Sequence, residues 1–245
     1  MRVAVLGGCG GIGRSLVAAL LAQGDAVAVL DLAASLERHP PADGVFAIAV
    51  DGSDEASVAA AFAALDARWG ALDGFVNLAG FLIGLTPLKD VPADIFDTTV
   101  EGNLRTTFLA CNAAMKLLEK GDEPSLVNVS SGLAQFIRPH YGPYAAAKAG
   151  MIALTKTLAL EHAPKVRCNL VAPGAVDTAF LRGGTGRSDE AGQATIDVAA
   201  YSSMMPLKRI AEPDDIVGPI LFLLGRGSRY MTGQSLWVNG GAYMP

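Results

Sequence analysis

The feature that most constrains the fold is the start of the chain, where an apolar stretch runs into a dense glycine turn. Arg2–Leu6 is short, apolar and rich in valine, which is typical of a buried parallel strand. Five of the seven residues from Gly7 to Gly13 are glycine, and Ser15–Gln23 then shows a helical leucine pattern that Gly24 can end. A glycine turn between a strand and a helix lets the backbone approach an anion closely. The pattern therefore predicts a site for a dinucleotide pyrophosphate.

The second strand indicates which dinucleotide is bound. Ala26–Leu30 is another apolar strand pattern, and it ends in Asp31, eighteen residues after Gly13, where a ribose-binding carboxylate belongs. A carboxylate accepts hydrogen bonds from a ribose 2′-hydroxyl but repels a 2′-phosphate, and the next three residues carry no positive charge. NAD is therefore favoured over NADP. Arg14 and Arg38 could reverse this preference by reaching the phosphate, although Arg14 is expected to point to solvent.

A second pattern indicates acid–base chemistry. Tyr144 and Lys148 are four residues apart, so on a helix they share one face. An ammonium close to a phenol lowers the phenol pKa from its usual value near 10, which makes the tyrosine a competent general acid or base. Ser131 ends a strand thirteen residues earlier and can donate a hydrogen bond to a substrate oxygen, whereas Ser130 should face the other side of the sheet. Tyr141 is an alternative to Tyr144, but it has an alanine four residues later.

Composition excludes several other classes of function. The 245 residues are 51% hydrophobic and 18% charged, which suits a sizeable core and argues against disorder. A net charge of −5 disfavours partners such as nucleic acids and anionic membrane surfaces. No apolar stretch reaches transmembrane length, and the chain shows no signal-peptide pattern. The three cysteines are widely spaced and the three histidines lack metal-ligand spacing, so we expect a cytoplasmic protein without a metal.

The rest of the chain alternates between strand and helix patterns. Expected strands are Val45–Val50, Asp73–Leu78, Ser125–Ser130, Val166–Ala172 and Ser235–Val238, and expected helices are Glu55–Trp69, Ala93–Lys120 with a kink near Gly102, Tyr144–His162 and Pro213–Leu224. Such alternation predicts an α/β protein, a single doubly wound Rossmann domain over residues 1–245. Its sheet should be seven-stranded and mostly parallel, with helices on both faces and ligands beyond the carboxyl ends of the strands.

These motifs, in this order, resemble the short-chain dehydrogenase/reductase family of the roughly 250-residue type along the whole chain. The matching pieces are Gly7-x-x-x-Gly11-Ile12-Gly13, Asp31, Asp51, Asn77-x-Ala79-Gly80, Asn103, Ser131, Tyr144-x-x-x-Lys148, Asn169-x-x-Ala172-Pro173-Gly174, Pro206-Leu207-x-Arg209-x-x-Glu212-Pro213, Thr232-Gly233-Gln234 and Asn239-Gly240-Gly241. Two positions depart from the family pattern. Leu6 replaces the usual threonine and Leu78 replaces the second asparagine, which removes polar groups that brace the loops around the cofactor.

The resemblance implies a role for each matching residue. Tyr144 would exchange a proton with the substrate oxygen, Ser131 would stabilise that oxygen, and Lys148 would lower the pKa of the tyrosine and hydrogen-bond the nicotinamide ribose. Asn103 would hold a water that links the lysine to solvent. The implied cofactor contacts are Gly7, Gly11, Ile12 and Gly13 at the pyrophosphate, Asp31 at the ribose, Asp51 and Gly52 near the adenine, Asn77, Ala79 and Gly80 on the adenosine side, and Pro173, Gly174, Val176 and Thr178 at the nicotinamide carboxamide.

Three classes of function remain open on the sequence alone. The first is an NAD-dependent oxidoreductase for a secondary alcohol or ketone. The second is an NADPH-dependent 3-oxoacyl thioester reductase, against which Asp31 counts. The third is a non-catalytic dinucleotide sensor or scaffold, since a fold does not fix a function. Residues 179–205 are expected to form a mobile lid over the substrate. The resemblance also implies a homotetramer that pairs through the helices at Ala93–Lys120 and Tyr144–His162.

Overall fold

A computed structural model describes residues 1–244 and contains one seven-stranded sheet in which every neighbouring pair of strands is parallel. The sheet order is β3-β2-β1-β4-β5-β6-β7. The strands are β1 (Arg2–Leu6), β2 (Ala26–Asp31), β3 (Phe46–Ala49), β4 (Gly74–Asn77), β5 (Ser125–Val129), β6 (Arg167–Pro173) and β7 (Ser235–Val238). The predicted doubly wound α/β fold is confirmed, and the mostly parallel sheet is entirely parallel.

Helices cover both faces of the sheet. They are α1 (Gly11–Ala22), α2 (Ala33–Arg38), α3 (Glu55–Trp69), α4 (Ala93–Val100), α5 (Thr106–Leu118), α6 (Gly142–Glu161), α7 (Val198–Met204) and α8 (Pro213–Leu224). One apolar cluster packs α1 and α8 against the sheet, and a second packs α3, α5 and α6 against the other face. Because both faces are covered, the central strands are continuously buried rather than alternating between buried and exposed residues.

The order of the strands determines where a ligand can bind. From β1 the chain moves outward through β2 and β3, and it then returns to the middle of the sheet to place β4 on the other side of β1. The loops after β1 and β4 therefore diverge and leave a crevice at the carboxyl ends of these strands.

Several elements coincide with the patterns that predicted them, and others differ. The boundaries of β1, α3, β7 and α8 agree with the sequence patterns. Helix α1 begins at Gly11 instead of Ser15, so the end of the glycine turn is already the first helical turn. Helices α2 and α7 were not predicted. Within residues 1–244, no helix is both long and apolar enough to cross a membrane.

The long helix expected at Ala93–Lys120 is interrupted. Glu101–Arg105 forms a π-helical turn between α4 and α5, which includes the predicted kink at Gly102. A π-bulge inserts an extra residue into the helical repeat and turns the following side chains, and such bulges often occur at functional sites. Here the turn contains the buried side chain of Asn103.

Candidate active site

The crevice at the carboxyl ends of the strands widens into a cavity of about 600 Å³. Most of the residues that the sequence implied for the site line it. They are Gly7, Gly11, Ile12, Gly13, Asp31, Asp51, Gly52, Ala79, Gly80, Ser131, Tyr144, Lys148, Pro173, Gly174, Val176 and Thr178. Asn77 and Asn103 lie behind this wall. The structure therefore brings together residues that are up to 171 positions apart, from Gly7 to Thr178.

The glycine turn is packed too tightly to accept side chains. Gly7 has a φ of +82°, a backbone conformation that residues with a Cβ rarely adopt. A Cβ on Gly13 would lie 2.4 Å from the carbonyl oxygen of Gly7, and one on Gly11 would lie 2.5 Å from Cγ2 of Thr178. The turn thus brings the N-terminal end of α1 to the cavity without a side chain in between, which suits the approach of a pyrophosphate.

Asp31, at the end of β2, is oriented by the backbone around it. Its carboxylate accepts hydrogen bonds from the N–H groups of Cys9 and Leu32, each at 2.8 Å. A carboxylate has about four acceptor positions, so capacity remains for ribose hydroxyls. Arg14 is exposed, as expected, and donates to the Cys9 carbonyl, while Arg38 pairs with Glu190.

Asp51 also lines the cavity. The hydroxyl and N–H of Ser53 donate to its carboxylate at 2.7 and 3.0 Å, and these bonds hold the pKa of Asp51 below its usual value. The nearby charge of Arg187 lowers the same pKa further. Sequence reasoning missed Arg187, which lines the cavity and places its guanidinium 4.3 Å from the centre of the Phe81 ring. No sequence signal could have shown that this lid residue reaches back to the cavity.

Tyr144, Ser131 and Lys148 form one wall of the cavity. Tyr144 lies in the first turn of α6, and Ser131 is the second residue after the end of β5. The ring of Tyr144 packs against that of Phe180, with 5.9 Å between the ring centres, and only 6% of Tyr144 is exposed. Ser130, the alternative to Ser131, donates its hydroxyl to the backbone carbonyl of Lys148 at 2.8 Å. The Ser130 hydroxyl therefore already donates its proton to the main chain of α6.

Burial is the main cause of the pKa shifts of Tyr144 and Lys148. It raises the pKa of Tyr144 well above its usual value, and the Ser131 hydroxyl opposes that rise only in part. It also lowers the pKa of Lys148 to about 7. The lysine Nζ donates to the Val129 carbonyl at 3.1 Å and lies 5.6 Å from the centre of the Tyr144 ring. The expected lowering of the tyrosine pKa by Lys148 is therefore not the dominant effect in this structure, because burial disfavours the charged form of both groups.

Asn103 lies behind the wall and close to Lys148. Its amide donates to the carbonyls of Phe81 and Thr99 at 3.0 and 2.9 Å. Its buried Oδ1 has no hydrogen-bond partner within residues 1–244. A Cβ on Gly80 would lie 2.6 Å from this oxygen and 3.0 Å from the lysine Nζ, so both polar atoms border the same space. A buried acceptor without a partner is costly, which makes this space suitable for a hydrogen-bond donor such as water.

Asn77 braces the site instead of lining the cavity. Its amide donates to Thr107 Oγ1 at 3.0 Å and to Asn128 Oδ1 at 3.2 Å. Its Oδ1 accepts the N–H of Ala79 at 3.1 Å. Asn77 therefore shapes the turn that presents Ala79 and Gly80 to the cavity.

The end of the cavity beyond Tyr144 is rich in aromatic side chains, and of these the sequence singled out only Tyr141, as the alternative to Tyr144. Phe136, Tyr141, Tyr201 and Tyr243 line it together with Arg138. From the expected lid, Phe180, Leu181 and Ile196 also reach the cavity, whereas Met204 is exposed and Met205 is buried elsewhere. Within residues 1–244, no cluster of three His, Cys, Asp or Glu side chains could hold a metal ion.

The chain is similar to known proteins over nearly its whole length. The family model described as "Enoyl-(Acyl carrier protein) reductase" matches residues 7–243. The 2-(R)-hydroxypropyl-CoM dehydrogenase of Xanthobacter autotrophicus is 31% identical, over 98% of this chain and 97% of its own length. An uncharacterized short-chain type dehydrogenase/reductase, y4vI of Sinorhizobium fredii, is 34% identical over 98% of this chain, which spans only 43% of that longer protein.

A solved structure shows the same fold. The 3-ketoacyl-(acyl-carrier-protein) reductase from Brucella melitensis, complexed with NADH, superposes with a TM-score of 0.88. It is 29% identical, and the match covers 99% of this chain and 98% of that one. The chain therefore belongs to the short-chain dehydrogenase/reductase family and is an NAD(P)-dependent oxidoreductase that acts on CH–OH groups.

Proposed function

We propose that the chain transfers a hydride between NAD and a secondary alcohol or ketone, with Tyr144 as the acid and base. The observation that carries this proposal is the buried wall on which Tyr144, Ser131 and Lys148 line one cavity with the glycine turn. A dinucleotide supplies the hydride donor or acceptor when it is bound. The protein supplies orientation, a proton and a site that excludes water.

The residues present fit a dinucleotide. The glycine turn leaves no side chain between the start of α1 and the cavity, as the 2.4 Å approach at Gly13 shows. Asp31 would accept hydrogen bonds from the adenosine ribose, and Asp51 with Gly52 would lie near the adenine. Pro173 and the residues after it would contact the nicotinamide end. Asp31 has no cationic partner within residues 1–244, which supports NAD over NADP because a 2′-phosphate beside it would be repelled.

The proton step follows from the buried wall. In the oxidation direction, the Tyr144 oxygen takes the proton of the substrate hydroxyl, and Ser131 donates a hydrogen bond to the same substrate oxygen. Burial penalises the phenolate, so its formation needs a compensating positive charge nearby. Protonated Lys148 provides that charge, and Asn103 would hold a water that links the lysine to solvent. In the reduction direction Tyr144 returns the proton to the developing alkoxide.

A homotetramer is the assembly that we propose. Helices α4, α5 and α6 leave large apolar side chains exposed in the isolated chain. Phe96 is 41% exposed, Phe108 49% and Leu160 83%. Exposed apolar groups of this size are often covered by another protein surface. Light scattering coupled to size-exclusion chromatography should give four times the mass of the 25.2 kDa chain, and a monomer would contradict the proposal.

The experiment that tests the function follows reduced-nicotinamide absorbance with a panel of secondary alcohols and ketones. NAD and NADP are compared separately, and 3-oxoacyl thioesters are included. Tyr144→Phe is the test variant, Tyr141→Phe tests the alternative tyrosine, and Tyr230→Phe is the matched control because Tyr230 is fully exposed. We expect turnover with NAD that Tyr144→Phe abolishes. Preference for NADPH with thioesters would support the thioester reductase, and NADH binding without any turnover would support a sensor.

A further inference from the structure

Two arginines line the cavity without a partner of opposite charge. They are Arg138 and Arg187, and within residues 1–244 neither makes a salt bridge or donates a side-chain hydrogen bond to protein. The acids that line the cavity are Asp31 and Asp51, both among the residues expected to hold the adenosine. Most other arginines of the chain are engaged, for example Arg2 with Asp73. Two arginines that make no salt bridge within residues 1–244 therefore face one cavity, and each contacts a different set of lining residues.

Arg187 lies at the end expected to hold the cofactor. Its charge acts on Asp51, and its guanidinium rests on Phe81, next to Gly80. A dinucleotide pyrophosphate carries negative charge, so a bound cofactor would give Arg187 a partner. That explanation does not extend to Arg138, which belongs to the loop between Ser131 and Tyr144.

Arg138 lies at the end where a substrate would enter. Its guanidinium carbon is 5.3 Å from the centre of the Phe136 ring and 5.8 Å from that of Tyr201. Burial raises the pKa of Tyr141, and the nearby charge of Arg138 opposes that rise in part. Tyr141 in turn lies close enough to raise the pKa of Tyr144. Arg138 is also partly buried, although the residues on either side of it, Ile137 and Pro139, are exposed. The side chain is thus turned inward from an exposed loop.

The surroundings of the Arg138 guanidinium suit the binding of an oxyanion. The aromatic rings contact the guanidinium and restrict its position, whereas its five N–H donors lie in its plane and remain unused by protein within residues 1–244. A planar guanidinium matches a carboxylate, sulfonate or phosphate by paired hydrogen bonds. A partly buried charge without a partner favours any ligand that supplies the opposite charge.

We propose that Arg138 binds an anionic group of the substrate, so that the enzyme acts on a secondary alcohol or ketone that carries a carboxylate, sulfonate or phosphate. This inference rests on the proposed function, because it assigns the substrate class of the same cavity. Arg138 is a specificity-determining residue: it positions the substrate and takes no part in hydride or proton transfer.

The test compares matched pairs of ketones. Methyl ketones with a terminal carboxylate at increasing chain length, such as 4-oxopentanoate, are each paired with their neutral methyl ester, and sulfonate and phosphate analogues distinguish the source of the anion. Arg138→Gln removes the charge, whereas Arg138→Lys keeps the charge but lacks the planar guanidinium. Arg229→Gln is the matched control, since Arg229 is exposed and does not line the cavity.

We expect the wild-type kcat/KM to favour at least one class of anionic ketone over its neutral partner by about tenfold or more, as a hydrogen-bonded charge pair provides. Arg138→Gln should bring the kcat/KM of the anionic ketone down to that of its neutral partner, chiefly through a higher KM, and Arg138→Lys should keep part of the preference. Equal kcat/KM for charged and neutral partners in the wild type would overturn the proposal. So would a preference that survives in Arg138→Gln.

Equilibrium binding measurements distinguish a failure of the proposed anion site from a failure of the proposed reaction. Binding of 4-oxopentanoate and of its sulfonate and phosphate analogues, with and without NADH, is followed by ligand-observed NMR. Anion binding that Arg138→Gln removes, in a protein without turnover, would reject the reaction and retain the anion site. Turnover of ketones without any Arg138-dependent binding would retain the reaction and overturn the anion site.

Discussion

Replacement of Lys148 by methionine should stabilise the empty protein at neutral and acid pH while it abolishes catalysis. Lys148 is 3% exposed, and burial lowers its pKa from 10.5 to about 7. The protonated amine therefore costs the folded state free energy that an apolar side chain of similar length would not. Such a cost at a functional position is the usual form of the trade-off between stability and activity.

The magnitude and its pH dependence follow from the two pKa values. At pH 6 both folded and unfolded chains bind the proton, and the difference in pKa corresponds to a cost of up to about 5 kcal/mol. Between pH 7 and 10.5 the folded protein has lost the proton and the unfolded chain keeps it, so stability rises with pH. Near pH 10 the remaining cost is below about 1 kcal/mol. Loss of the hydrogen bond to Val129 costs the variant about 1 kcal/mol at every pH.

The assay is urea unfolding of the cofactor-free protein at pH 6, 8 and 10. The unfolding free energy of Lys148→Met minus that of the wild type should be positive at pH 6 and fall by about 2–4 kcal/mol by pH 10. Lys156→Met, on the exposed side of α6, is the matched control and should show no such trend. A difference that stays constant with pH, or that grows toward pH 10, would refute the assignment of Lys148 as a buried and destabilised amine.

Three further changes test other parts of the structure. Gly13→Ala places a Cβ 2.4 Å from the Gly7 carbonyl oxygen, so NADH affinity by fluorescence titration should fall by at least about tenfold, and unchanged affinity would contradict the tight turn. Burial raises the pKa of Asp73, but hydrogen bonds from Arg2 and from backbone N–H groups outweigh it and hold the pKa at about 2. That depressed pKa stabilises the fold above about pH 4 and the benefit is lost as pH falls toward 2, so Asp73→Asn should lower the unfolding free energy by about 1–2 kcal/mol at pH 7, and little at pH 2. Arg187→Gln should weaken NADH binding several-fold at low ionic strength, where charges are least screened. Equal Kd values for the variant and the wild type under these conditions would place Arg187 outside the cofactor site.

The sequence predicted the sheet and the chemistry better than the cavity around them. Apolar strands and helical periodicity are local signals, which is why the boundaries of α3 and α8 could be read directly. The spacing of Tyr144 and Lys148 is local too, and it placed both on one wall of the cavity. The expected pKa of Tyr144 depended instead on how deeply α6 is buried, which no local pattern contains.

The residues that the sequence missed are those whose positions depend on contacts between distant segments. Arg138 and Arg187 occur in irregular loops, and only the packing of those loops brings them to the cavity. The π-helical turn at Glu101–Arg105 was visible only as a kink at Gly102. Asn77 fits the family motif, yet its side chain braces the neighbouring elements because β4, β5 and α5 meet around it.

The central claim is that Tyr144 carries the proton in a site that binds the dinucleotide independently of it. The most direct measurement determines the NADH dissociation constant and kcat side by side for the wild type and Tyr144→Phe, with the substrate that the wild type turns over fastest. Loss of a general acid–base group should lower kcat by about 100-fold to 10,000-fold, while NADH affinity changes by less than about threefold. A variant that retains wild-type kcat would contradict the account.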